Sequence, residues 1–161
     1  MIVLPEIPYN IEKLCEACEK RNGSGKGFSI LAVAEGAFDT QEAKMKKKER
    51  AKKRAEEGIT TATGRIAKQI EEKTGLETRI CVPGHMLRGG SPSAYDRVLA
   101  TQFGVRAAQL ISQEKYGYGV AMINEKVSEN PLEDIAGKTK FVPADDQMVK
   151  TARDLGISFG D

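Results

Sequence analysis

The chain has 161 residues, of which 40% are hydrophobic, 30% are charged and 6% are aromatic, with no tryptophan. This composition is typical of a globular protein and excludes collagen-like and wholly disordered chains. The 25 basic and 23 acidic residues nearly balance, and the single histidine excludes multi-histidine metal sites. The sequence has neither a bilayer-length apolar run nor a secretory signal pattern, and three cysteines do not suggest a disulfide framework. We therefore expect a cytoplasmic protein with no membrane or nucleic-acid partner.

The first predicted elements alternate between strand and helix. Residues 2–4 are predicted to be a strand, and apolar spacing over 9–22 predicts a helix with Asn10 as its N-cap. A glycine-rich loop at 23–27 follows; it precedes a strand and lacks the spacing of a phosphate-binding P-loop, so we interpret it as a turn. The continuous apolar run 28–34 predicts a strand that is buried on both faces.

Residues 41–57 are predicted to form a polar, strongly basic helical insertion. The run 44–54 contains eight basic residues, with Glu49 as its one acid. It has no aromatic side chain on which a base could stack and no apolar face for lipid. We therefore interpret it as a solvated helix.

The remaining predicted elements are helices at 63–74, 93–113, 131–137 and 145–155 and strands at 78–82 and 119–124. Gly75 is a predicted C-cap, and Ser93 with Asp96 forms a predicted capping box. The predicted buried stripe of the helix at 93–113 is formed by Val98, Leu99, Val105, Ala108 and Ile111. Because strands alternate with helices, we expect a parallel α/β sheet.

Residues 77–93 are the most informative stretch for chemistry. They place Arg79, His85 and Arg88 at the C-terminal end of a predicted strand, followed by two glycines and a helix N-terminus. Guanidinium and imidazole donors in that setting favour a phosphate or phospho-sugar site. The alternative is that the two arginines form surface ion pairs and His85 is a packed residue. Glu35 follows the run 28–34. Its carboxylate is about equally suited to accept hydrogen bonds from sugar hydroxyls and to cap the secondary-structure element that comes next.

Two cysteines lie in a C-x-x-C pattern that invites a metal or redox interpretation. Cys15 and Cys18, with Cys81 and His85, have the composition of a zinc site. The first two lie on the apolar face of the predicted helix, so we interpret them as small buried hydrophobic residues.

The segment GHMLRGGSPSAYDRVLA at 84–100 resembles the C-terminal half of the 6-phosphofructokinases. Further blocks match in the family's order: Val3–Glu6, Ala32–Ala37 and Gly75–Arg79. The resemblance implies an α/β fold, a three-layer parallel-sheet sandwich, with 1–161 as its fructose 6-phosphate-binding region. The ending 156–161 is similar to the branch with pyrophosphate-using and mixed-donor enzymes.

The resemblance also implies roles for individual residues. Glu35 would bind sugar hydroxyls, and Arg79 would reach across a dimer interface into the neighbouring site. His85 and Arg88 would bind the sugar phosphate, with the backbone of Met86 and Leu87 lining the site; the family usually has glutamine in place of Leu87. Lys26 matches one effector-binding lysine of the bacterial enzymes, but Ser24 replaces its companion lysine.

The activity implied is phosphoryl transfer from ATP or pyrophosphate, with Mg²⁺, to the 1-hydroxyl of fructose 6-phosphate in glycolysis. The family's glycine-rich donor loop and the segment with the catalytic base have no match in this sequence. We therefore expect the N-terminal donor half to be absent, with no catalytic residue or metal ligand here and no activity of the chain alone. The expected partner is a complementary N-terminal half or a homo-oligomer, dimeric or tetrameric. The alternative is a non-catalytic sugar-phosphate-binding or regulatory module that pairs with an intact kinase subunit.

Overall fold

The computed structural model describes residues 1–58, 61–143 and 145–161. The strands in these ranges are β1 (Ile2–Val3), β2 (Ala32–Val33), β3 (Tyr118–Ile123) and β4 (Lys126–Pro131). The helices are α1 (Ile11–Arg21), α2 (Lys47–Glu56), α3 (Ala62–Thr74), α4 (Ala94–Ser112), α5 (Leu132–Ile135) and α6 (Gln147–Asp154). The chain divides into two compact units: unit 1 is Met1–Val82 with Phe141–Asp161, and unit 2 is Pro83–Lys140. No helix in the described ranges is long and apolar enough to cross a membrane.

Unit 1 is built on the parallel pair β1–β2 and on the packing of α1 against α3. The predicted cap of α1 is confirmed, because the Asn10 side chain accepts a hydrogen bond from the Glu12 N–H at 2.8 Å. Cys15 and Cys18 are buried on the inner face of α1, as predicted. The core cluster comprises Val3, Tyr9, Leu14, Cys15, Cys18, Ala37, Ala62, Ile66 and Ile70.

Two predicted strands of unit 1 are wrong in extent or in burial. In the run 28–34 only β2 is strand, and Phe28 and Ile30 are 63% and 71% exposed. The reason is that, of the described residues, only β1 pairs with this run, whereas burial on both faces requires layers on both sides. Residues 78–82 form no strand, because no described segment provides the ladder hydrogen bonds that a strand needs.

The predicted helix 41–57 is divided into a 3-10 turn, Glu42–Lys44, and the helix α2. The Asp39 carboxylate accepts the N–H groups of the first turn, that of Glu42 at 2.7 Å. Met45 is then extended, and the Lys46 N–H donates to the Glu49 carboxylate at 2.9 Å, which starts a new helix. None of the residues of α2 is buried, in agreement with the predicted solvated helix.

A buried ion-pair cluster ties the 3-10 turn to α2 and α3. The Glu42 side chain is 1% exposed and accepts two hydrogen bonds from the Arg54 guanidinium, at 2.8 and 2.9 Å. Nη1 of the buried Arg65 lies 2.5 Å from the same carboxylate and 3.4 Å from that of Asp39. Burial alone would raise the pKa of Glu42, but the hydrogen bonds and charges of the two arginines lower it to about 2. Glu42 therefore stays ionised at neutral pH.

Unit 2 combines α4 with an antiparallel hairpin. In the hairpin, Tyr118 pairs with Pro131 and Ile123 with Lys126, so β3 does not join a parallel sheet as predicted, and β4 was not predicted. The two turn residues, Asn124 and Glu125, have φ of +47° and +63°, as a tight turn between antiparallel strands requires. This turn has no glycine, so the usual sequence signal was missing.

The predicted buried stripe of α4 is also wrong. Val98, Val105 and Ile111 are exposed, whereas Leu110 is buried and Leu99 is half-buried. The helix has apolar residues on more than one side, and the β3–β4 hairpin covers one of them. Arg106, on the covered side, pairs with Glu129 of β4 at 2.6 Å. Helical periodicity alone could not decide which side the hairpin covers.

Candidate functional site

His85, Met86, Leu87 and Arg88 lie together on one exposed 3-10 turn, Gly84–Arg88, in unit 2. The turn is closed by hydrogen bonds from the Met86 N–H to the Pro83 carbonyl and from the Gly89 N–H to the Met86 carbonyl. The expectation that a strand precedes this turn is wrong, for the reason given above for residues 78–82.

The two glycines after the turn meet specific backbone requirements. A Cβ on Gly89 would lie 3.2 Å from the Met86 carbonyl oxygen, and Gly90 has a φ of +91° that other residues rarely adopt. The pair therefore lets the chain leave the turn and enter α4 within a few residues. This explains the Gly-Gly of the sequence block without involving a ligand.

The predicted capping box of α4 is confirmed. The Ser93 hydroxyl accepts from the Asp96 N–H at 3.1 Å, and the Asp96 carboxylate accepts from the Ser93 N–H and hydroxyl. The hydrogen bonds from Ser93 lower the pKa of Asp96. The Asp96 carboxylate places a negative charge at the start of α4, which disfavours a second anion at the helix N-terminus expected from the sequence. His85 and Arg88 are the side-chain donors that the preceding turn offers to an anion.

Their charge environment suits that role. In the described ranges, no acidic side chain lies within 4.0 Å of His85 or Arg88. The guanidinium of Arg88 is therefore uncommitted and exposed, so it can take a phosphate without first breaking an ion pair.

The other predicted site residues belong to unit 1. Arg79 has an 87% exposed side chain and donates to its neighbour Glu77, with Nη2 and Oε1 2.9 Å apart, as the ion-pair alternative predicted. Glu35 is exposed and lies two residues after the end of β2. Lys26 is exposed at the end of a π-helical turn, Asn22–Lys26.

Sequence reasoning missed two features of unit 1. One is the Glu42 ion-pair cluster, whose members are spread from 39 to 65 in a highly charged part of the chain. The other is a cavity whose lining extends from Cys18 to Ile80 and includes Arg79. No local motif marks either feature. Across the described parts of the chain, no three His, Cys, Asp or Glu side chains are placed to hold a metal ion.

A family model described as Phosphofructokinase matches residues 1–111, and the chain belongs to this family. An ATP-dependent 6-phosphofructokinase of Spirochaeta thermophila is 44% identical over 161 residues, all of this chain and 44% of the relative. The ATP-dependent 6-phosphofructokinase of Propionibacterium freudenreichii is 36% identical over 180 residues, all of this chain and 48% of that relative. The chain thus spans less than half the length of these relatives.

Solved phosphofructokinases share its fold. The structure of phosphofructokinase from Saccharomyces cerevisiae matches 83% of this chain and 16% of its own, with a TM-score of 0.60 and 27% identity. The pyrophosphate-dependent phosphofructokinase of Marinobacter aquaeolei matches 86% of this chain and 33% of its own, with a TM-score of 0.60 and 20% identity. The expected α/β, phosphofructokinase-like fold is therefore confirmed.

Proposed function

We propose that this chain is the fructose 6-phosphate-binding part of a glycolytic 6-phosphofructokinase. The observation that carries the proposal is the exposed turn Gly84–Arg88, which presents His85 and the unpaired Arg88 in a chain of this family. Both side chains would donate hydrogen bonds to the sugar phosphate, and the backbone of Met86 and Leu87 would line the same subsite.

The unit 1 residues complete the proposed set. Glu35 would accept hydrogen bonds from sugar hydroxyls, and Arg79 would serve the site of a neighbouring subunit in a dimer or tetramer. Arg79 would have to leave Glu77 to do so, but an exposed ion pair is worth only about 0–1 kcal/mol, so the cost is small. Lys26 would contact an effector phosphate as a single cation, because position 24 is a serine and supplies no second positive charge.

The proposed phosphoryl donor is ATP, since the relatives at 44% and 36% identity are named ATP-dependent. Pyrophosphate is the alternative donor. When bound, Mg²⁺ would neutralise charge on the transferring phosphoryl group. We assign the metal, the donor and the catalytic base to the part of the enzyme outside these 161 residues, and the proposed role of this chain is sugar-phosphate binding in the cytoplasm.

The test is calorimetric titration with fructose 6-phosphate. Arg88→Ala should weaken binding roughly ten- to hundredfold, because a hydrogen bond to a charged group contributes about 1.5–3 kcal/mol. Arg97, another exposed arginine nine residues further on, provides the matched control, and Arg97→Ala should leave the affinity unchanged. Fructose without phosphate should not bind. Equal affinities for the two variants, or no binding at millimolar ligand, would refute the proposal.

A second assay separates an enzyme part from the non-catalytic module. The chain is co-expressed with the remainder of the Spirochaeta thermophila relative, and fructose 1,6-bisphosphate formation is measured beside the full-length relative. Activity that is lost with Arg88→Ala supports the enzyme part. A complex that binds fructose 6-phosphate but forms no product would favour the module instead.

A further inference from the structure

A cavity of about 490 Å³ lies within unit 1, between two extended stretches of chain. One wall is formed by Gly27–Ser29, Leu31 and Val33, and the facing wall by residues 76–80. Ile66 and Ile70 of α3 and Cys18 of α1 contribute apolar side chains to the lining. The cavity therefore has a mixed lining, with an apolar part formed by α1 and α3 and two stretches of chain along its walls.

The first wall is the free edge of the β1–β2 sheet. The Ala32 N–H donates to the Met1 carbonyl, and the Ala34 N–H donates to the Val3 carbonyl, each at 3.0 Å. Backbone groups of successive residues in a strand point to opposite edges, so those of Leu31 and Val33 point away from β1. Both residues line the cavity, and in the described ranges no further strand pairs with this edge.

The facing wall has free backbone groups as well. The Thr78 N–H donates to the Glu71 carboxylate at 2.7 Å, but the N–H groups of residues 79–82 form no hydrogen bond with any described residue. Ile80 is 51% exposed, although residues 78–82 have a β-rich sequence. A segment with strand propensity and unpaired backbone thus lies across the cavity from an unpaired sheet edge.

We propose that this cavity receives an extended β-strand from the part of the phosphofructokinase fold that lies outside these 161 residues. Such a strand would pair with the edge at Leu31 and Val33 and direct apolar side chains towards Ile66 and Ile70. The relatives have more than twice the length of this chain, so their fold includes segments that this chain does not supply. The inference rests on the proposed function only in treating the chain as part of a larger enzyme.

Backbone hydrogen exchange tests this docking. The chain is co-expressed with the remainder of the Spirochaeta thermophila relative, and exchange in the purified complex is compared with that of the chain alone. Exchange at Leu31, Val33 and residues 79–82 should slow at least tenfold, whereas the solvated helix α2 should not change. A complex without protection at these positions, or no complex at all, would overturn the proposal.

Two variants of Ile80 sharpen the test. Ile80→Lys changes a half-exposed side chain, so the free chain should still fold, but the charge at the cavity wall should weaken the complex at least tenfold. Ile80→Val keeps an apolar strand former and should bind normally. Protection that appears in the chain alone as its concentration rises would mean that a second copy occupies the cavity, which would also overturn the proposal. Fructose 6-phosphate titration is a separate measurement, so strand docking without sugar binding would refute only the proposed function.

Discussion

Replacing Glu42 by glutamine should destabilise unit 1 by about 3 kcal/mol at neutral pH. The carboxylate is buried, accepts hydrogen bonds from Arg54 at 2.8 and 2.9 Å and forms an ion pair with Arg65 at 2.5 Å. Its pKa falls from 4.5 to about 2 on folding, and each unit corresponds to about 1.4 kcal/mol, which gives roughly 3 kcal/mol. Removing one member of a buried ion pair typically costs about 3–5 kcal/mol, so the two estimates agree.

The assay is urea unfolding followed by far-ultraviolet circular dichroism. With a slope of about 1–3 kcal/mol per molar urea, Glu42→Gln should lower the midpoint by about 1–3 M. Glu56→Gln makes the same chemical change in an exposed ion pair with Lys52 at 3.8 Å, so it should shift the midpoint little. Equal shifts for the two variants would refute the account of the cluster.

The pH dependence provides a second test of the same prediction. Because the folded pKa of Glu42 is lower than its unfolded value, its contribution is fully present above about pH 4.5. That contribution is lost as the pH falls through about 2. The native chain should therefore lose about 3 kcal/mol more stability than Glu42→Gln between these pH values. Parallel acid-unfolding curves for the two proteins would contradict the assignment.

Two further substitutions test the core of unit 1. Burial raises the pKa of Tyr9 to about 12, although the charge of Arg65 opposes this, so the neutral Tyr9 side chain contributes stability below pH 10 that is lost as the pH rises towards 12. In urea unfolding from pH 9 to 12, Tyr9→Phe should remove this alkaline loss of stability, and an unchanged pH profile would contradict the assignment. Gly160→Ala should destabilise by about 2–4 kcal/mol, because its φ is +77° and a Cβ would lie 2.8 Å from Leu14 Cδ2. Gly75→Ala, at a φ of +69° in open space, should cost only about 1–2 kcal/mol by the same measurement, and equal losses would refute the role of the Leu14 contact.

The helices were predictable because their signals are local. Asn10 and Ser93 cap α1 and α4 through side chains that lie within three residues of the N–H groups they bind, and Gly75 ends α3 in the left-handed conformation. The turn between β3 and β4 has the required positive φ angles at Asn124 and Glu125 but lacks the glycine that usually indicates it. Local rules therefore predicted most helix ends and missed the hairpin.

The candidate site was predictable in chemistry but not in geometry. The block at 84–100 indicated that His85 and Arg88 lie close together, because only two residues stand between them in the chain. It could not show that Arg79 pairs with Glu77 whereas Arg88 forms no ion pair with any described residue. Those outcomes depend on side-chain competition between neighbouring charges, which motif spacing does not describe.

The wrong burial predictions have one physical cause. Phe28 and Ile30 in unit 1 and Val98, Val105 and Ile111 in unit 2 follow strand or helix patterns that predict burial, yet all five are exposed. Apolar patterning is selected by the contacts a chain makes in its working assembly, so a patterned but exposed face indicates a contact that the described residues do not supply. The chain spans less than half the length of its phosphofructokinase relatives. Exposed apolar faces are expected in a chain whose relatives have further segments that could cover them. The errors at these five positions therefore support the proposal that the chain works within a larger enzyme, and Phe28, which lines the cavity of unit 1, lies where the proposed strand would dock.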